Sequence, residues 1–376
     1  MNFALSEQQE MLRKSARDFL GKEYSDKRLK EIASDPAGCP PDLWNKIAEL
    51  GWTALAVPEN YGGIGDFLDL TVVLEEMGRA GLISSFFSSV VLGATLLIEA
   101  GSDAQKLDYL PALAEGKSIF TLALLEQSGY CSPAAIQAQA LSQNNDYVIH
   151  GNKMFVTDAN SADHIIVAAR TGETATFDGG ITLFIVDSTA AGLNRISLET
   201  IGGEKQSEVI LNQVKVSRKN VLGDFGQGWK YIEKVIARAA IATCALMLGG
   251  AERVLELTVA YAQERNAFGH PIGAYQSIQH RCADMLSDIE SARFATYQGA
   301  WKLNEGLYSA KEVAVAKAWV NQACRRVVTS AHQVHGAIGF TADHILHWYT
   351  RQTRAREMSF GDTNYHLNQF LKICKD

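Results

Sequence analysis

The chain predicts an α+β protein in three blocks: an N-terminal helical domain at 1–118, a middle antiparallel β-barrel or sandwich at 119–225, and a C-terminal four-helix bundle at 226–376. Three observations carry this reading. Apolar residues of the first block recur at helical spacing. The second block breaks into short apolar runs separated by Asn, Asp and Gly. The third holds long stretches of Ala, Leu, Glu and Arg without proline.

In the first block Leu12, Ala16, Phe19 and Leu20 mark one helical face, and Leu43, Ile47 and Leu50 another; VPENYGGIG at 57–65 reads as a glycine-rich loop. Residues 81–99, GLISSFFSSVVLGATLLIE, are the membrane-like segment of the chain, but four serines and a glycine interrupt them. They are too short for a span and read as a buried helix. In the second block YVIHG, HIIVAAR, ITLFIVD and SEVILNQVKV read as strands. In the third, 230–265, 274–304 and 309–335 read as long helices, and TNYHLNQFLK as a last one.

Composition excludes several classes. A net charge of −7 with no basic run argues against nucleic-acid binding. Cysteines 39, 131, 244, 282, 324 and 374 form no CxxC pair, so neither a zinc site nor a disulfide framework is expected, and the setting is a reducing cytoplasm. The N-terminus carries charges at helical spacing and does not read as a signal peptide. His344 and His347 share a helical spacing near His332 and His335, but Asp343 would point off that face and there is no HExxH, so no metal is expected.

Residues 261–284, YAQERNAFGHPIGAYQSIQHRCAD, set Arg265 before a Phe-Gly break at the end of a helix. QVHGAIGF at 333–340 places Gly336 and Gly339 around a turn where a ligand can approach backbone. With GNKMFVTDANSADHIIVAAR at 151–170 and VSRKNVLGDFGQGW at 216–229, these segments resemble the acyl-CoA dehydrogenases over almost the whole chain. That resemblance implies FAD, an acyl-CoA substrate, an electron-transfer flavoprotein as electron acceptor, and a homo- or heterotetramer. It further implies that Thr157 reaches flavin N5 and Phe155 packs on the ring within one subunit. Arg265, Phe268, Gln333 and Gly336 would cover the adenosine and pyrophosphate of a neighbour's FAD.

The chain departs from the family at two places. Where the family reads TEPxAGSD, this sequence reads LEQSGYCS at 125–132. Leu125 thereby replaces a ring-donating threonine, Tyr130 a glycine and Cys131 a serine. A tyrosine there is expected to crowd the phosphate, and Glu126 matches a loop glutamate of unassigned role. The catalytic glutamate is missing as well: its position falls on Phe360 or Gly361, and the alternative position of a second subfamily falls at or beside Ala239. Asp362 is adjacent. It reads either as a shorter catalytic base or as the N-cap of the last helix.

Three functions stay open at this point. One is a subunit without its own base in a heteromeric assembly, similar to the steroid side-chain degrading dehydrogenases, whose FGD sequence this chain shares. Another is a self-sufficient homotetramer using Asp362. The last is a flavin monooxygenase of the same fold, against which the adenosine-side residues speak.

Overall fold

A computed structural model describes residues 4–35, 38–172 and 179–375. They fall into two compact units. One comprises Glu31–Asp66 and Ile83–Ile236, the other Met1–Lys30, Phe67–Leu82 and Ala237–Asp376.

Helices α1 (Glu7–Glu23), α2 (Asp26–Ser34), α3 (Pro41–Glu49), α4 (Phe67–Ala80), α5 (Ala94–Ala100) and α6 (Asp103–Ala114) make up the first block. Ser6 and Ser102 each close a capping box with the glutamine three residues on, which fixes where α1 and α6 begin. The apolar segment at 81–99 is buried as expected, but it is not one regular helix. Phe87–Gly93 winds as a π-helix before α5 takes over. A Cβ at Gly93 would run into the Phe120 side chain, so the widened turn sits tightly against the following sheet.

That sheet contains β1 (Phe120–Ala123), β2 (Gln139–Gln143), β3 (Asp146–Thr157), β4 (His164–Arg170), β5 (Ile181–Asp187), β6 (Leu193–Leu198), β7 (Gln206–Val216) and β8 (Val221–Leu222). The order is β6-β7-β3-β2-β4-β5-β8, with β1 on the side of β4. The pairings are mainly antiparallel, as expected, with two exceptions that the sequence did not show: β1 runs parallel to β4, and β2 meets β4 in parallel at Gln139 and Arg170. The β2–β3 hairpin lies in the chain between β1 and β4, so β4 re-enters in the direction of β1 through a long crossover. Ile149, Val156, Ile165, Val167, Phe184, Val186, Val209 and Leu211 form the centre of the sheet's apolar core. The β3–β7 register slips between Lys153 and Val156, and Phe155 there takes φ +56°.

Helix α7 (Gly228–Glu264) opens the third block, followed by the hairpin β9 (Asn266–Ala267) and β10 (His270–Pro271), then α8 (Gln276–Asn304), α9 (Ala310–His335), α10 (Leu346–Met358) and α11 (Thr363–Ile373). The three long helices start and stop within two residues of the expected ranges. Among the described residues α7 is the one helix long and apolar enough to cross a membrane, which the sequence reading had asked only of 81–99. Its apolar window is 72% buried inside the protein, as a core helix requires.

Within the second unit α4 and α7 cross closely. A side chain at Gly78 or Gly249 would collide with the backbone of Leu246 or Glu75. Beside that crossing the buried Glu75 carboxylate is bonded by Arg293, accepts the Tyr297 hydroxyl at 2.6 Å and lies 3.5 Å from Arg13. Burial pushes the Glu75 acid up, against the pull of the two guanidinium groups. Arg17 forks onto Glu76 at 2.8 and 2.9 Å, so α1 is tied to α4 by charge as well as by apolar contact.

Candidate functional site

In the sheet unit, the candidate residues lie at the end of β3. The bulge leaves the Phe155 ring 48% exposed at a left-handed φ, and Thr157 is half-buried two residues on. The Thr157 carbonyl accepts the Thr121 hydroxyl at 2.5 Å, which locks β3 to β1. The loop at 125–132 passes beneath: Leu125 is half-buried and its carbonyl accepts the Met154 amide at 2.8 Å. Tyr130 carries its ring on this loop 76% exposed, and Cys131 is exposed beside it.

Glu126, unassigned by sequence, has a structural role here. Its carboxylate accepts the backbone amides of Gln137 and Ala138 at 2.9 and 3.0 Å and the Lys153 ammonium at 2.7 Å. Lys153 is fully buried, and burial holds its ammonium below the ordinary lysine range. The pair therefore pins the loop 133–138 to β3.

In the helical unit, Arg265 directly follows the end of α7, and its guanidinium is exposed and makes no hydrogen bond or ion pair to a described residue. Phe268 and Gly269 form the two-residue turn of the β9–β10 hairpin with φ +53° and +88°, the type I′ geometry. Phenylalanine is a poor residue for that conformation, and its ring is 95% exposed. Gln333, on the last turn of α9, is exposed as well. Gly336 ends α9 at φ +65° and ψ −144°, and the space a Cβ would enter is open.

Three histidines pack around this turn as rings. His335 stacks on Tyr261 with centroids 4.5 Å apart and meets His344 edge-on at 4.9 Å, while His332 stacks on Phe340 at 4.3 Å. Burial, with repulsion among neighbouring imidazoles and cations, holds His332, His335, His344 and His347 below the usual histidine range. Among the described residues no group of three or more His, Cys, Asp or Glu side chains is placed to hold a metal ion.

At the base position, Asp362 is half-buried and its Oδ1 accepts the Tyr365 amide at 2.7 Å as N-cap of α11. Gly361 takes φ +101°, and a Cβ there would lie 2.5 Å from the Tyr365 ring and 2.6 Å from His366 Nε2. His366 Nε2 is itself 2.9 Å from the Phe360 carbonyl, so its ring occupies the room that a side chain at 361 would need. Ala239 is buried within α7 and offers no ionisable group. The nearby Lys317 ammonium is fully buried and donates to Asn321 Oδ1 at 2.8 Å and to the Arg356 carbonyl at 2.9 Å, capping the C-terminus of α10.

Comparison with known proteins decides the family. Models of the acyl-CoA dehydrogenase N-terminal, middle and C-terminal domains match residues 6–117, 121–214 and 226–373. The chain belongs to the acyl-CoA dehydrogenase family. It is 32% identical to a probable acyl-CoA dehydrogenase of Bacillus subtilis, over 96% of each chain. The butyryl-CoA dehydrogenase structure from Megasphaera elsdenii superposes with a TM-score of 0.95 at 27% identity, covering 100% of both chains. A chain of the ChsE4-ChsE5 complex from Mycobacterium tuberculosis gives a TM-score of 0.90 at 26% identity, covering 100% of this chain and 99% of that one.

Membership makes this acyl-CoA dehydrogenase an FAD-dependent oxidoreductase acting on CH–CH bonds. The residues present fit that cofactor. An unpaired guanidinium, an exposed aromatic ring, an exposed amide and an open glycine turn suit a pyrophosphate and adenosine, and the exposed Phe155 ring beside Thr157 suits an isoalloxazine. Leu125 brings no side-chain donor to the loop below.

Sequence reasoning missed three buried polar groups near the candidate residues. Glu126–Lys153 was visible only as a glutamate in a loop motif. Asp158, fully enclosed next to Thr157, had only its place in the VTDA motif to mark it. Lys317 gave no signal beyond a single lysine in the run VAVAKAWVNQA.

Proposed function

We propose that this protein carries out α,β-dehydrogenation of a CoA thioester as one subunit of a heteromeric assembly in which a second acyl-CoA dehydrogenase-like chain supplies the carboxylate base. The observation that carries this reading is the packing at Gly361: a positive φ and the rings of Tyr365 and His366 leave no space for a glutamate side chain. The absence of a base there is thus built into the local fold. FAD, when bound, supplies the hydride acceptor.

Each chain of such a pair has its own task. Arg265, Gln333 and the Gly336 turn of this chain would bind the pyrophosphate side of the partner's flavin, and Phe268 would pack on it. Phe155 and Thr157 would orient a flavin held in this chain's own sheet unit. Reducing equivalents would leave through an electron-transfer flavoprotein, in the cytoplasm. The FGD sequence at 360–362 favours a bulky acyl group of the steroid side-chain type.

A second reading keeps one observation in its favour. Asp362 uses only Oδ1 for its cap, and Oδ2 makes no hydrogen bond to a described residue, so this carboxylate could serve as base in a homotetramer. Flavin content and acyl-CoA oxidation of the chain alone, and of the chain co-expressed with a second family member, separate the two. One FAD per pair and turnover only with the partner is the expected result. One FAD per chain with turnover alone would overturn the heteromeric reading.

A further inference from the structure

The Asp158 carboxyl is enclosed between the end of β3 and the π-helix Phe87–Gly93. Ser88 Oγ lies 2.6 Å from Asp158 Oδ2 and 3.0 Å from the Ser85 carbonyl oxygen. A serine hydroxyl has one proton to give. An ionised Asp158 would have to share the Ser88 proton with the Ser85 carbonyl, whereas a protonated Asp158 can donate to Ser88 while Ser88 donates to Ser85, so that each contact has its own proton. Burial first, helped by Glu204, pushes the acid up to about 7, against the Ser88 hydrogen bond and Lys205.

The backbone around this carboxyl leaves little room for adjustment. Asp158 sits at φ +56°, its amide donates to the Lys205 carbonyl at 2.7 Å, and its carbonyl accepts the amides of Ser161 and Ala162, both at 3.0 Å. The charged groups acting on it are Glu204 and Lys205, both on the segment leading into β7. The Lys205 ammonium donates to the Ala33 carbonyl at 2.7 Å, and makes no ion pair with Asp158. From the π-helix side come Ser88 and the buried Ser85 hydroxyl, which has no partner. An ionised Asp158 would thus stand buried without a bonded cation among the described residues. The Ser88 proton would turn toward it, and the strained residue next to Thr157 would carry the charge.

We propose that Asp158 is a positioning residue for the flavin: as a neutral acid bonded to Ser88 it sets the end of β3 from which Thr157 meets the ring, and loss of its proton alters that end and the flavin with it. This rests on the reading of Thr157 as the flavin-facing residue of the sheet unit. A negative charge one residue from that contact also disfavours adding electrons to the ring.

The test uses the purified flavin-loaded assembly, titrated from mildly acid to alkaline pH while the visible flavin band and the midpoint potential are recorded. Wild type is expected to show a one-proton inflection near neutrality in both. Asp158→Asn, an isostere of the neutral acid, is expected to abolish it, and Ser88→Ala to move it to higher pH because a hydrogen bond to the charged form is gone. Thermal midpoints of the same samples provide a readout independent of the flavin, and Ser88→Ala serves alone should Asp158→Asn not fold. Bound flavin with the same inflection in Asp158→Asn, an unmoved one in Ser88→Ala, or none in wild type would overturn the proposal alone. A preparation that takes up no flavin would overturn the reading of Thr157 on which it stands.

Discussion

Asp362 Oδ1 accepts the backbone amide of Tyr365 at 2.7 Å, and so begins the last helix from the place where the family's catalytic carboxylate would be sought. Capping needs only an oxygen acceptor, whereas proton abstraction needs a carboxylate, and substitutions separate the two roles. Asp362→Asn keeps the cap and is expected to leave both stability and turnover of the assembly near wild type. Asp362→Ala is expected to cost about 1 kcal/mol of stability. Turnover lost in Asp362→Asn with flavin retained would make Asp362 the base.

Arg265→Ala removes an exposed guanidinium with no partner among the described residues, so stability should change by no more than about 0.5 kcal/mol. Flavin absorbance per assembly is nevertheless expected to fall, because the pyrophosphate loses a forked donor. Undiminished flavin content would remove Arg265 from the site.

Glu126→Ala leaves the Lys153 ammonium and the amides of Gln137 and Ala138 without their acceptor. Breaking such a buried pair from one side is expected to cost about 3–5 kcal/mol, measured by denaturant unfolding. A loss below about 1 kcal/mol would mean that water replaces the carboxylate and that the loop at 133–138 is held by other contacts.

Two buried groups give stability opposite slopes with pH. Asp158 is raised from 3.8 to about 7 in the folded protein, so its contribution is full below the unfolded value and is lost as pH rises through about 7. The total is about 4 kcal/mol at roughly 1.4 kcal/mol per unit, and Asp158→Asn should remove this slope. Lys317 is lowered from 10.5 to about 8, chiefly by burial. Between those values the unfolded chain binds more protons, so stability gains about 3 kcal/mol as pH rises. Thermal midpoints of Lys317→Met against wild type over this window check the sign: the wild-type advantage should grow with pH.

The sequence by itself determined the three-block order, because period carries it. Leu12, Ala16 and Leu20 repeat as a helix, ITLFIVD is a strand buried from Ile181 to Val186, and the proline-free runs of the third block end where the helices end. It also determined the family and cofactor, since Arg265, Phe268, Gln333 and Gly336 lie in segments that resemble those of the acyl-CoA dehydrogenases. The parallel entry of β1 beside β4 and the π-helix at Phe87–Gly93 were not legible, for strand direction and helix pitch depend on partners distant in the chain.

Of the site, tertiary structure alone decided what the polar groups do. Glu126 became a clamp because folding brings Lys153 and two amides to it. The Gly361 position closed because His366 and Tyr365 fold back over it. The Asp158 acid is pushed up to about 7 because packing against a π-helix seventy residues earlier buries its carboxyl beside Ser88. A side chain's charge and hydrogen-bond role follow from its dielectric surroundings and nearest partners, and these are fixed only when distant segments pack together.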